Sequence, residues 1–445
     1  MKRVLVVFFA LIFTSIQAFA FDLVLPKDKK NYVTSNYAFF VGKAKNSEFI
    51  MINGDRIYTA PNGAFAHSVK LKDGENRVVL KSSYKTQIYR FYKSTPNKSV
   101  QEEICEFEKP SVALVKKDNT PLRNTPVDAG MNRIAHLFEG TPVVVNASKG
   151  GFYRVCLSKN KSAWVAKGDV VLDCNKPFEP AEFITTDSKV FKNARVQTIS
   201  FSKKLPYTIE ENEKEVIFSV YNPELSDISV YTLNIPKPSK YFYSLKLEDG
   251  CYTFKITELP KSPEEITVVV DAGHGGSEAG ALGCLGDKEK DINLKIANEL
   301  KNQLELRGFN VVMTRECDAN ISLGERVEVA RNNDAAIFVS VHLNSIGDIP
   351  MNIHKNKGTS VYYYNKNSRK LAEYVKKSVT SIAGTRDDGL RTASFAVIRP
   401  TDYVGILVET AYMTNPCDSM MYRTDAFIEN TAKGITEGIV NYLEK

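Results

Sequence analysis

The stretch "VVVDAGHGGSEAG", from Val268 to Gly280, is the strongest indication of how the C-terminal part of this chain folds. It begins as a run of valines, which is typical of a buried strand, and then breaks into glycines, which are typical of a sharp turn. A glycine-rich turn after a strand often binds phosphate. Here, however, His274 stands at the bend, so three interpretations remain: a nucleotide site, a metal site or a structural turn.

Strands and helical stretches alternate around and after this turn. Helical periodicity is clearest over residues 291–307, where four apolar residues fall four apart: Ile292, Ile296, Leu300 and Leu304. Such alternation predicts an α/β domain with a doubly wound sheet, which we place at residues 265–445. Strands are predicted over 266–271, 309–314, 335–342, 360–364 and 405–409, and helices over 291–307, 323–332, 368–382 and 424–443.

The residues before this domain alternate apolar and polar side chains in short runs, which predicts β-strands. Asn53-Gly54 and Asp73-Gly74 lie between such runs and predict hairpins, and Asp249-Gly250 marks a turn. We therefore expect three small all-β domains, over residues 21–96, 105–174 and 176–262. Trp164, the only tryptophan, lies in the second and is expected to be buried.

The first twenty residues differ from the rest of the chain. Lys2 and Arg3 precede an apolar run from Val4 to Ile12, and Ala18-Phe19-Ala20 forms a small-x-small cleavage pattern. Because the apolar run is too short to span a bilayer, residues 1–20 predict a signal peptide. We expect an exported protein, periplasmic or associated with the cell wall, without stable membrane insertion.

The composition indicates partners as well. A net charge of +7 on 445 residues is a mild excess, which suits an anionic surface such as a cell wall better than nucleic acid. The seven cysteines contain no CxxC pair, which argues against a zinc ribbon or a thioredoxin-like site. A bridge between Cys105 and Cys174, which flank one segment, is one pairing that this number of cysteines allows.

Three side chains with metal-binding or proton-transfer chemistry fall at predicted strand ends: His274, His342 and Glu409. Ligand sites of open α/β sheets lie at the carboxyl ends of the strands. Glu289 opens the first predicted helix and would lie on the same rim. Two imidazoles and one carboxylate that leave a fourth position to water are typical of catalytic zinc. One Zn²⁺ would activate a bound water and polarise a carbonyl group, and Glu409 could transfer the proton to a leaving amine. These residues together therefore predict a hydrolase of amide bonds.

Several motifs strengthen this interpretation: "VVVDAGHGGSEAGALG", "EKDINL", "FVSVHLNS" and "ILVETAYMTNP". In order and spacing they resemble the catalytic domain of zinc-dependent N-acetylmuramoyl-L-alanine amidases, the third amidase family, over residues 266–445. The resemblance implies that His274, Glu289 and His342 bind zinc and that Glu409 is the catalytic carboxylate. It implies hydrolysis of the amide between N-acetylmuramic acid and the L-alanine of the peptidoglycan stem peptide, for wall turnover, remodelling or daughter-cell separation.

The chain departs from the family pattern at Glu278, where Asp is more frequent, at Arg331, and at Val404, where proline is common. None of these changes removes a ligand or the base. Asn344 and Arg386 are possible contacts for the stem peptide, although Arg386 could equally be a solvated loop charge.

Residues 105–174 resemble a bacterial SH3-like barrel, through Leu122-Arg123-Asn124, Phe152-Tyr153-Arg154-Val155 and Ala163-Trp164-Val165 in that order. Such barrels often bind wall peptide in their family. Wall amidases, which the C-terminal residues resemble, often carry at this position a β domain that holds them to the wall, so the resemblance implies the same role for residues 176–262.

Other functions remain as alternatives. Nucleotide binding is disfavoured because no Lys-Ser/Thr pair follows the glycines. A wall-binding protein with a decayed catalytic domain is disfavoured because all four site residues are present. A zinc peptidase or deacetylase would use the same chemistry, but the motif order argues against it. Arg315 and Arg326 are expected to be structural ion-pair partners. Some members of the amidase family that this chain resembles carry a long insertion after the second histidine strand, and its helix blocks the zinc. Only Ser345 to Lys357 separates the corresponding strands here, so we expect no such blocking helix.

Overall fold

The computed structural model describes residues 21–44, 49–82, 85–94, 102–173, 179–223, 228–345 and 357–445. The predicted signal peptide, residues 1–20, and Cys174, one of the cysteines that could pair with Cys105, lie outside these ranges. The six cysteines within them are free thiols. Among the described residues, no helix is both long enough and apolar enough to cross a membrane.

The first β unit consists of two sheets. Its strands are β1 (Phe21–Leu25), β2 (Lys30–Val33), β3 (Tyr37–Ala44), β4 (Phe49–Ile52), β5 (Asp55–Tyr58), β6 (Ala64–Lys70), β7 (Gly74–Lys81) and β8 (Thr86–Lys93). They form the sheets β1-β3-β6 and β2-β8-β7-β4-β5. Alternate side chains of both sheets pack into one core, which explains the alternating sequence.

The two predicted hairpins of this unit have different outcomes. Asn53 and Gly54 both have positive φ, 50° and 98°, and join the paired strands β4 and β5, which confirms the first. The second prediction is wrong, because β6 and β7, on either side of Asp73-Gly74, belong to different sheets. The Asn76 side chain stabilises the connection between the two sheets. It accepts a hydrogen bond from the Lys72 amide at 2.8 Å and donates one to the Lys72 carbonyl at 2.7 Å.

The second β unit is a single seven-stranded sheet of order β11-β10-β14-β13-β12-β9-β15. Its strands are β9 (Cys105–Val115), β10 (Thr120–Arg123), β11 (Arg133–Leu137), β12 (Pro142–Lys149), β13 (Phe152–Ser158), β14 (Lys161–Ala166) and β15 (Val170–Asp173). Trp164 is 7% exposed, as expected for a core side chain.

The third β unit has two sheets, β16-β17-β22-β21 and β18-β19-β20. Its strands are β16 (Phe183–Val190), β17 (Ala194–Phe201), β18 (Tyr207–Glu211), β19 (Glu215–Pro223), β20 (Ile228–Pro236), β21 (Tyr241–Glu248) and β22 (Cys251–Glu258). The predicted turn at Asp249-Gly250 joins β21 to β22, with φ of 46° and 79°. The cores of the second and third units are continuous: Val155, Phe201 and Phe218 belong to one cluster.

The C-terminal unit is α/β, as predicted. Its strands are β23 (Thr267–Ala272), β24 (Asn310–Met313), β25 (Ile337–Asn344), β26 (Thr359–Tyr363), β27 (Asp387–Thr392) and β28 (Val404–Tyr412). Its helices are α1 (Glu289–Leu306), α2 (Leu323–Asn332), α3 (Arg369–Ile382), α4 (Asp418–Met421) and α5 (Asp425–Glu444). The strand order is β24-β23-β25-β28-β26-β27, in which β26 runs antiparallel to β28 and the first four strands are parallel.

Both faces of this sheet are covered, which is why its central strands are apolar without alternation. On β23, Val268 and Val270 belong to the core cluster that contains residues of α1, α3 and α5, whereas Val269 belongs to a second cluster that contains Ala330 of α2. The predicted stripe of α1 is buried throughout: Ile292, Ile296, Leu300 and Leu304.

Helices α3 and α5 approach each other very closely, at two glycines spaced one turn apart. A Cβ on Gly438 would lie 2.4 Å from Cα of Val375, and one on Gly434 would lie 2.6 Å from Cα of Val379. Since these contacts are with backbone atoms, neither helix can make room by a rotamer change.

We predict that Gly438→Ala lowers the free energy of unfolding of the C-terminal unit by about 1–3 kcal/mol, because overpacking outweighs the higher helix propensity of alanine. Hydrogen exchange of the α5 amides in the full chain measures this directly. Gly324→Ala is the matched control, because its Cβ would meet only the Oγ of Ser322, at 4.0 Å. Equal exchange rates for the two variants would refute the packing argument.

Candidate active site

His274 lies in the turn that follows β23, with a positive φ of 60°. Such a backbone is unusual for a residue with a side chain and is maintained only where its surroundings stabilise it. The preceding Gly273 permits the close approach of the neighbouring strand, because a Cβ there would lie 2.3 Å from the His342 ring. The glycines of the turn therefore bring two imidazoles together, with ring centroids 4.9 Å apart.

Two buried arginines hold this turn in place. Arg326 pairs with Asp271 at 2.5 Å and donates to the carbonyls of Ala272 and His274, each at 2.8 Å. Arg315 donates to the Ala272 carbonyl at 2.9 Å. The prediction of an ion pair is confirmed for Arg326 and wrong for Arg315, which in the described ranges binds only carbonyls. The reason is that the tight turn leaves several carbonyls without strand partners.

Glu289 is the first residue of α1, and its carboxylate joins the two histidines. Oε2 lies 3.2 Å from Nε2 of His274, and Oε1 lies 2.9 Å from Nδ1 of His342. The same carboxylate accepts from the backbone amides of Ala281 at 2.7 Å and Leu343 at 3.2 Å. Because these contacts come from the turn, the loop before α1 and the end of β25, Glu289 fixes three segments relative to each other.

Glu289 and His342 stabilise each other's charged forms. Burial alone would raise the pKa of Glu289, but its hydrogen bonds to His274 and His342 outweigh burial and hold the pKa well below its usual range. Burial opposes the charge of His342, yet Glu289 outweighs it and raises the pKa of that imidazole. The carboxylate is therefore ionised at neutral pH and able to act as a metal ligand.

One ligand atom from each of His274, Glu289 and His342 lies within 4.8 Å of the other two. Across the described ranges, this is the one group of three or more such side chains that could hold a metal ion. Two imidazole nitrogens and one carboxylate oxygen are the donor set of a catalytic zinc with an open position. The structure thus brings together the three residues that the sequence placed on one rim.

Glu409 lies beside this group, on β28, where it pairs in register with His342 of β25. Its Oε2 atom is buried and has no hydrogen-bond partner. Burial raises the pKa of this carboxyl to about 7. The prediction that the strand ends at Glu409 is wrong, because β28 continues to Tyr412, which pairs with Asn344.

Sequence reasoning missed a neighbouring polar group on β27. Arg391 donates to Asp388 at 2.6 Å, and the Tyr412 hydroxyl donates to the same carboxylate at 2.7 Å. The charge of Arg391 acts on Glu409 and opposes the rise of its pKa. No sequence signal pointed to this group, because β27 is short and polar and was not predicted as a strand.

The two possible substrate contacts lie outside the His-Glu-His group but at the same end of the sheet. Asn344 follows His342 on β25, and its side chain accepts from the Ser345 amide at 2.8 Å. Arg386 precedes β27, and its carbonyl accepts from Thr359 at 2.8 Å. The predicted absence of a blocking helix concerns residues 346–356, which lie outside the described ranges.

Comparison with known proteins gives concordant matches for the C-terminal unit. A family profile described as N-acetylmuramoyl-L-alanine amidase matches residues 268–441. The uncharacterized protein YqiI of Bacillus subtilis is 35% identical over 183 residues, which are 40% of this chain and 85% of YqiI. N-acetylmuramoyl-L-alanine amidase LytC of B. subtilis is 35% identical over 40% of this chain, and AmiC of Neisseria meningitidis is 30% identical over 40%.

These matches cover 35% of LytC and 52% of AmiC, so the chain spans only part of those relatives. Among solved structures, the catalytic domain of the amidase CwlV from Paenibacillus polymyxa is 35% identical, with a TM-score of 0.38, and the match covers 40% of this chain and 98% of that one. On the family profile and the relatives together, the chain belongs to the family of N-acetylmuramoyl-L-alanine amidases, which are amide hydrolases.

Proposed function

We propose that this protein hydrolyses the amide between N-acetylmuramic acid and L-alanine in peptidoglycan, with one Zn²⁺ held by His274, Glu289 and His342. Glu409 is the catalytic carboxylate. The main support for this proposal is the Oε2 atom of Glu409, which is buried without a hydrogen-bond partner on the strand next to His342. A carboxylate oxygen left without a partner in the protein is costly unless it serves a ligand or a reacting group.

Each residue then has a defined task. Bound zinc would polarise the scissile carbonyl and lower the pKa of a water molecule. Glu409 would accept a proton from the attacking water and return it to the leaving amine. Before an ion binds, Glu289 keeps the two imidazoles oriented through its contacts with both rings, and it would itself supply the carboxylate oxygen of the ligand set.

The remaining parts of the proposal concern the substrate and the location. Asn344 and Arg386, at the same end of the sheet, are proposed to contact the stem peptide. Residues 1–20 are proposed to direct export to the periplasm or the cell wall, where the enzyme takes part in wall turnover, remodelling or daughter-cell separation. Residues 105–174 are proposed as an SH3-like barrel and residues 176–262 as a wall-targeting domain.

The direct test is digestion of purified peptidoglycan by the full chain, with product masses measured. We expect stem peptides that begin at L-alanine, and we expect chelation of the metal to abolish their release. Glu409→Gln should lower the rate by about 10²–10⁴-fold, because general acid-base catalysis is lost while the side-chain shape is kept.

Glu316→Gln is the control for this experiment, because Glu316 is exposed and pairs with Lys301 on the surface. It should hydrolyse at the wild-type rate. Products cleaved within the stem peptide, or free acetate, would instead indicate a peptidase or a deacetylase. Full activity after chelation would contradict the metal assignment.

A second prediction concerns the packing around the metal ligands. A Cβ on Gly280 would lie 2.5 Å from Oε2 of Glu289 and 2.7 Å from Cδ2 of His274. Gly280→Ala should therefore weaken zinc binding by about 10–100-fold, since it displaces two ligands without replacing either. Competition with a chelating dye measures this affinity.

Gly286→Ala separates crowding from backbone strain. Gly286 also has a positive φ, 87°, close to the 67° of Gly280, but its Cβ would meet no atom within 4 Å. It should bind zinc as the wild-type protein does. A similar loss of affinity in both variants would show that strain in the loop, and not contact with the ligands, controls the site.

A further inference from the structure

A second polar group lies between the second β unit and the C-terminal unit. It consists of Arg123 on β10, Arg133 and His136 on β11, and Arg399, which precedes β28. Arg123 and Arg133 are cross-strand partners in the β10–β11 pair. We call these four residues the arginine cluster.

The cluster lies far from Glu409 along the sheet. Its charges act on Tyr364, which follows β26. Because β26 runs antiparallel to β28, Tyr363 pairs with Ile406 near the start of β28, whereas Ser360 pairs with Glu409. The cluster is therefore at the opposite end of the sheet from the proposed zinc ligands.

The two units are in tight contact at this point. A Cβ on Gly130 of the second unit would lie 2.5 Å from Cβ of Ser394 of the C-terminal unit. Arg123 is only 5% exposed, and its terminal nitrogens donate to Asp128 at 2.5 Å and to the Ala129 carbonyl at 2.8 Å. The arginine cluster thus lies where the two units pack against each other, with Arg123 buried and Arg133, His136 and Arg399 partly exposed.

Several donors of the cluster nevertheless have no partner. The Nε atoms of Arg123, Arg133 and Arg399 are buried without a hydrogen bond, and so is Nε2 of His136. Within the described ranges, neither Arg133 nor Arg399 has a side-chain hydrogen bond or an ion pair. Four unpartnered nitrogens in one place are unusual, because buried polar groups are normally satisfied.

The positive charge of the cluster is only partly compensated, because Asp128 pairs with Arg123, whereas Arg133 and Arg399 have no carboxylate partner within the described ranges. Burial and the neighbouring guanidinium groups, Arg133 foremost, lower the pKa of Arg399, and no carboxylate opposes this effect. Burial, together with the three arginines, lowers the pKa of His136 to about 4. His136 is therefore neutral at pH 7 and can present Nε2 as an N–H donor.

We propose that the arginine cluster is a binding site for a small oxyanion, a carboxylate or a phosphate group, held between the second β unit and the C-terminal unit. Guanidinium groups bind planar carboxylates and phosphates through paired N–H donors, which is the donor type left unpartnered here. The anion neutralises the mutual repulsion of the arginines and links the two units, because it contacts residues of both.

Two sources share this chemistry. One is the carboxylate of a peptide such as the peptidoglycan stem peptide, an identification that rests on the proposed function. The other is a phosphate ester, which needs no such assumption. Binding is measured without reference to hydrolysis, so failure of the site and failure of the proposed function are distinguishable.

The test is calorimetric titration and thermal unfolding of the full chain with inorganic phosphate and with acetate, against sodium chloride at the same ionic strength. We expect saturable binding of phosphate or acetate and a higher unfolding temperature than in chloride. Preference for one of the two probes identifies the source. An equal response to chloride would overturn the proposal, because general screening would then explain it.

Arg399→Gln should weaken binding about tenfold or more, because it removes a charged donor. Without added anion it should unfold at a higher temperature than the wild-type protein, since repulsion is relieved. Arg133→Gln provides the same test from the other unit if Arg399→Gln does not fold. Arg369→Gln is the control, because Arg369 is exposed and paired with Glu373. Wild-type anion affinity in both cluster variants would refute the site.

Discussion

The carboxylate of Glu289 is the interaction on which the site depends. It is almost completely buried, with 5% of its side chain exposed, and it contacts both histidines and two backbone amides. A carboxylate can be buried at this depth only if its oxygens are paired. The first turn of α1, the loop before it and the end of β25 are consequently held in one arrangement, and His274 and His342 are oriented before any ligand binds.

A second buried charge supports the first. Asp271 is 1% exposed and accepts from Arg326, Thr314 and Ser340. Removing one partner of such a pair costs about 3–5 kcal/mol, because the remaining charge is left buried. Arg326 also donates a hydrogen bond to the His274 carbonyl. The ion pair between Arg326 and Asp271 therefore stabilises the fold and the position of a proposed metal ligand together.

The sequence predicted the parts of the fold and site that depend on periodicity and on unusual residues. The apolar run of β23, the stripe of α1 and the histidines at strand ends were all recognisable, because each is local. Long-range pairing was not: β27 has no apolar alternation, and Asp73-Gly74 resembles a hairpin turn although its flanking strands enter different sheets. The arginine cluster was also missed, because Arg123 and Arg399 are brought together only by contact between two units.

We propose that His274, Glu289 and His342 form one zinc site beside Glu409. Anomalous diffraction at the zinc edge, on crystals of the full chain prepared with one equivalent of zinc, tests it most directly. We predict a single strong peak at about 2.0–2.2 Å from a nitrogen of each histidine and an oxygen of Glu289. A peak held by other residues, or by Glu409 in place of Glu289, would contradict it.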